Sequence, residues 1–130
     1  ATADAESNPL PAVIALSRLA QRRALIVLFS QLHDVEASSQ LYRAIKLLRP
    51  KHLPLVVALR DPAIDTLASR PAVDSIDAYV SLAALEYRRE VRAISQRLQR
   101  LGADIVEASP DELGAAVMHR YEQLSRLRRV

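Results

Sequence analysis

RRALIVLFSQLHD, residues 22–34, decides how the chain is read. Two arginines lead into six apolar residues, 24–29, and a polar cluster follows at once: Ser30, Gln31, His33 and Asp34. The apolar run has no alternation. That suits a strand covered on both faces, as in a parallel sheet between helices. Its downstream end opens onto polar groups, and ligands of such sheets sit beyond the carboxyl ends of the strands.

Outward from this stretch the pattern repeats. Upstream, Asn8 and Pro9 suit an N-cap and first helical position, and Val13, Leu16, Leu19 and Ala20 recur at helical spacing. Downstream, Asp34 is placed to cap a helix with Ala37, Leu41, Ala44, Ile45 and Leu48 as its apolar stripe, ended by Pro50. Residues 53–59, LPLVVAL, read as a second strand. Asp61 and Pro62 open a short helix through Leu67. A long helix is predicted over 75–101, with Ile76, Val80, Ala84, Tyr87, Val91, Ile94, Leu98 and Leu101 apolar and Gly102 as terminator. Residues 103–108 form a weaker third strand. Ser109 with Glu112 reads as a capping box for a last helix carrying Leu113, Ala116, Val117, Tyr121 and Leu124 inward.

Strands alternating with helices imply parallel pairing and right-handed crossovers. The fold expected is therefore α/β, three-layered, with a mainly parallel three-stranded sheet and flanking helices. Residues 1–8, polar and small, are expected to be poorly ordered, and 9–130 to form a single α/β domain. The first strand is the most apolar, yet it has one partner in this order. Its other edge is expected to pair with something outside the chain, either an upstream half-domain or another molecule, a second copy included.

Composition narrows the chemistry. The 130 residues carry a net charge of +3, one Phe, four Tyr, no Trp, two Gly and no Cys. An aliphatic core follows; disulfides, thiolate ligands and a Cys nucleophile are excluded, and two glycines argue against a Gly-rich phosphate cradle. The longest apolar run is far short of the roughly 20 residues of a membrane span, and no signal peptide is visible. The chain opens on Ala1 and its one Met is Met118, so either an amino terminus was removed or this is an excised piece.

Candidate ligand- or partner-binding residues are those at the strand ends: Ser30, Gln31, His33, Asp34, Arg60, Asp61 and Ser109. Asp34, Asp61 and Ser109 also suffice as helix caps, and Arg60 can pair with Asp61 or Asp34. Ser30, His33 and Asp34 contain triad residue types and raise a hydrolase alternative, but triad members usually converge from separate elements and no G-x-S-x-G elbow is present. His33, His52 and His119 lie in different elements without metal-ligand spacing; His52, in the turn of residues 50–54, reads as exposed. Arg88, Arg89, Arg92, Arg97 and Arg100, and the terminal cluster from Arg120 to Arg129, raise a phosphate or nucleic-acid alternative, but stacking aromatics are missing.

RRALIVLFSQLHD followed by LYRAIKLLRPKHLPLVVALRDP (residues 41–62) resembles the bacterial domain-of-unknown-function family fifty-eight. Asp77-Ala78-Tyr79, the Arg-rich long helix, Gly102, Pro110-x-Glu112-Leu113 and Arg120-Tyr121 continue the likeness in order. That family is similar to the von Willebrand factor A domain, a doubly wound α/β fold of Rossmann-like type. The resemblance implies that this chain is the carboxy-terminal half of such a domain. It also implies a non-enzymatic protein-interaction role, with a MoxR-type AAA+ ATPase as partner in assembly or maturation of other proteins. Upstream helices would tether the protein to a membrane, placing it on the cytoplasmic face. Von Willebrand A domains bind partners through a divalent cation, whose aspartate after the fourth strand corresponds to Gln31 here; the family's following aspartate matches Asp34. A neutral amide is a poorer ligand than a carboxylate, and the upstream Asp-x-Ser-x-Ser motif is not in this sequence. No catalytic residue and no cofactor of this chain's own is implied.

Overall fold

The computed structural model describes residues 2–4, 10–19, 22–32 and 35–127. Helices and strands follow in the order β1 (Thr2–Asp4), α1 (Leu10–Leu19), β2 (Leu25–Ser30), α2 (Val35–Leu48), β3 (Leu53–Leu59), α3 (Pro62–Ser69), α4 (Ser75–Arg100), β4 (Asp104–Ala108) and α5 (Leu113–Arg126). The four strands form one parallel sheet in the order β1-β2-β3-β4. The architecture is α/β, with helices on both faces of an open parallel sheet, a Rossmann-like three-layer fold. The three predicted strands are β2, β3 and β4.

The edge of β2 expected to lack a partner in this chain is occupied by the chain itself, since Thr2, Ala3 and Asp4 pair with Val27, Leu28 and Phe29. These three positions fall within residues 1–8, the stretch expected to be poorly ordered. Short polar side chains do not prevent strand pairing, because the ladder is made by backbone groups. The Asn8 cap and the first helical Pro9 lie outside the described residues.

Sequential parallel order with right-handed crossovers sends every connecting helix to the same side of the sheet. On that side Ile26 and Leu28 of β2, Val56 and Ala58 of β3 and Ile105 of β4 pack with Val13 of α1, Leu41, Ala44, Ile45 and Leu48 of α2, and Ile94 and Leu98 of α4. The alternate residues, Val27, Leu55 and Val57, face the other way, where α5 brings Leu113 and Val117. This explains why the apolar runs of β2 and β3 do not alternate. Each fully buried Leu or Ile contributes about 1.5–3 kcal/mol. Among the described residues coverage is uneven: α1, α2 and α4 pack on one side of the sheet and α5 alone on the other, with Leu25 and Phe29 only half-buried.

Helix ends follow local chemistry. Asp61 caps α3, its Oδ1 accepting from the Ala63 N–H at 2.9 Å, and Asp74 caps α4, accepting from the Asp77 N–H at 2.8 Å. The predicted capping box at Ser109 does not form. The Glu112 N–H donates to the Ser109 carbonyl at 3.0 Å, making a turn, and α5 begins at Leu113. Proline at 110 suits the second position of such a turn as well as a first helical turn. Two positions read as inward are exposed: Ile76 at 74% and Tyr121 at 44%. Among the described residues no helix is long and apolar enough to cross a membrane.

Candidate functional site

Beyond the carboxyl ends of β3 and β4 the chain turns into α3 and into the loop before α5, and α4 runs alongside. The space between is a cleft of about 410 Å³, lined among others by Arg60, Asp61, Asp65, Tyr87, Arg88 and Glu107. A second depression of about 430 Å³ shares Arg60, Asp61 and Tyr87 and adds Gln31 and Pro110. The two adjoin across the strand ends as one trough of mixed charged and apolar lining.

Its charges are paired across elements. Arg60 lies 3.9 Å from Asp65 of α3 and 3.7 Å from Glu112, so it links β3's exit to the turn before α5. Arg88 of α4 reaches the same Asp65 at 3.5 Å. These side chains are 42–63% exposed, so each pair contributes at most about 1 kcal/mol. Their effect is geometric: one carboxylate holds two guanidinium groups at the mouth of the cleft. Arg92, one turn beyond Arg88, also lines it. Burial pushes the Tyr87 phenol above its ordinary pKa, and the Asp61 carboxylate adds to the shift, so Tyr87 stays neutral. The Ser69 hydroxyl at the cleft donates to the Asp65 and Thr66 carbonyls of its own helix, so no base activates it there.

The structure brings together Gln31, Arg60 and Asp61 from the sequence-derived set. Ser30 and Ser109 sit at the neighbouring strand ends but are buried, at 4% and 6% exposure, and line neither depression. His33 and Asp34 lie outside the described residues. Arg60 pairs with Asp65 and Glu112 rather than with Asp61, one of the two partners expected for it; the other, Asp34, lies outside the described residues. Asp65, Tyr87 and Glu107 were not read as site residues. Arg88 and Arg92 stand four apart on α4, a spacing that puts them on one face and was the available signal. Among the described residues no group of three or more His, Asp or Glu could hold a metal ion.

His52 is corrected. It is 1% exposed, and its Nδ1 accepts from the Ala24 N–H at 3.1 Å, at the opposite end of the sheet from the cleft. Its role is to tie the start of β3 to the start of β2.

No protein-family model, curated protein or solved structure matches this chain.

Proposed function

We propose that the chain is a non-enzymatic protein-interaction module, the carboxy-terminal half of a von Willebrand A-type domain similar to the domain-of-unknown-function family fifty-eight. Its partner would be a MoxR-type AAA+ ATPase acting in assembly or maturation of other proteins. The observation that carries the reading is the sheet: β2-β3-β4 run parallel in sequential order, as in one half of a doubly wound sheet. The uneven coverage of its two faces supports the same reading, since the missing half of such a domain would bring helices over Leu25 and Phe29. The trough at the strand ends is the face such folds use for ligands. With Gln31 at its rim, binding through this face would rest on the Arg60–Asp65–Arg88 cluster rather than on a cation.

The test is affinity capture with the full-length protein from its own cell extract, read by mass spectrometry. Recovery of an AAA+ ATPase, lost with Arg60→Glu, is the expected result. Recovery of no ATPase, or capture unchanged by Arg60→Glu, would count against the reading.

A further inference from the structure

One residue on the helix-covered face of the sheet does not suit it. Glu107 of β4 follows Ile105 by two, so it points to the side where α4 packs, next to its register partner Ala58 of β3. A carboxylate on that side needs space and a polar partner. The fold leaves the space. α3 buries no residue fully and packs against α4. Ala58 puts a methyl where Val56, two residues earlier on the same face, puts a larger side chain. The cleft of about 410 Å³ opens there, within the size range of small-molecule sites. Its walls are partly apolar, with Ile64 from α3 and Tyr87 and Val91 from α4.

Most charges of this cleft are engaged within the protein. Asp65 holds Arg60 and Arg88, and Asp61 caps α3. The side chains of Arg92 and Glu107 have no ion-pair or hydrogen-bond partner among the described residues, and they do not pair with each other. Carboxylates and guanidinium groups balance in the lining, so it favours neither a phosphate nor a polyamine. A molecule that carries both signs and an apolar part fits it. We infer that the cleft binds a zwitterion, a free α-amino acid with an apolar side chain. The carboxylate of the amino acid takes Arg92, whose planar guanidinium matches it with two hydrogen bonds. The ammonium takes Glu107 on the floor. The side chain lies against Ile64, Val91 and the Tyr87 ring. In a partly desolvated cleft both ion pairs are stronger than on open surface. The site goes beyond the partner reading and does not rest on it, since Arg92 and Glu107 stand outside the Arg60–Asp65–Arg88 cluster.

The test is a titration of the isotope-labelled chain with L-leucine, read by amide chemical shifts. No partner protein is present, so the outcome is independent of whether an ATPase is captured. Saturable shifts are expected at Ala58, Leu59, Arg60 and Glu107. N-acetyl-L-leucine, which lacks the ammonium, and L-leucinamide, which lacks the carboxylate, should each bind at least about tenfold more weakly. Arg92→Gln and Glu107→Gln, both at exposed positions, should keep the remaining spectrum and each weaken L-leucine by about tenfold. In Glu107→Gln, N-acetyl-L-leucine should bind as well as L-leucine, because the group that reads the ammonium is gone. The absence of a saturable shift by about 10 mM L-leucine overturns the inference. So do shifts confined to residues away from the cleft, equal binding of L-leucine and either analogue by the wild-type chain, or L-leucine binding unchanged by either substitution.

Discussion

His52 shows how one side chain can be misplaced by its neighbours in sequence. Pro50, Lys51 and Pro54 around it suggest an exposed turn, yet the ring is enclosed and its Nδ1 accepts the Ala24 N–H. An accepting Nδ1 requires the neutral imidazole with its proton on Nε2, which is buried and lacks a hydrogen-bond partner among the described residues. Burial, and then the charge of Lys51, lower its pKa below the ordinary 6.5. The unfolded chain therefore takes up the proton first as pH falls. The stability that His52 contributes is complete above pH 6.5 and is lost as pH drops below it toward the folded-state value. Urea unfolding at pH 7.5 should show His52→Ala less stable by about 1–3 kcal/mol, the cost of leaving a buried N–H without an acceptor. The difference should shrink at pH 5.5; a constant difference would show that the ring's protonation is not linked to folding.

At the scale of elements, α4 is the instructive case. Its caps were legible because they are local chemistry. Gly102 sits at φ +101°, its N–H donating to the Gln99 carbonyl and the Ala103 N–H to the Leu98 carbonyl, the pair of bonds that closes a Schellman motif. A β-carbon there would also collide with the Nε of Arg49. Gly102→Ala should therefore cost about 1–2 kcal/mol in thermal or urea unfolding; a neutral result would mean that the backbone relaxes to negative φ. What periodicity could not show is where along α4 the inward stripe has something to pack against. Val91, Ile94 and Leu98 meet the core, while Ile76, on the same pattern, projects past it. Ser109 fails for a related reason: Ser-Pro-Asp-Glu satisfies a turn and a capping box equally, and the burial of Ser109 beside β4 selects the turn.

Across the whole molecule, β3 is the protected centre. It is hydrogen-bonded on both sides, and Leu53, Leu55, Val56 and Val57 have no exposed surface. Amide hydrogen exchange should be slowest in β3 and fastest in the three-residue edge strand β1, because opening β3 requires breaking both ladders; comparable rates in the two would mean the sheet opens as one unit. By itself the sequence determined the α/β class, the bounds of β3, the cap at Asp61 and the Gly102 terminator. These follow from runs, periods and cap chemistry that act over a few residues. Tertiary structure alone decided that β1 shields the edge of β2, that His52 is interior, and that Arg60, Asp65, Tyr87 and Arg88 meet at one cleft. Those outcomes depend on strand order and on which helix crosses which strand end. The opening stretch, residues 22–34, is thus a central strand whose edge the chain closes with its own backbone, and its polar tip supplies Gln31 to a trough built mostly by residues far along the chain.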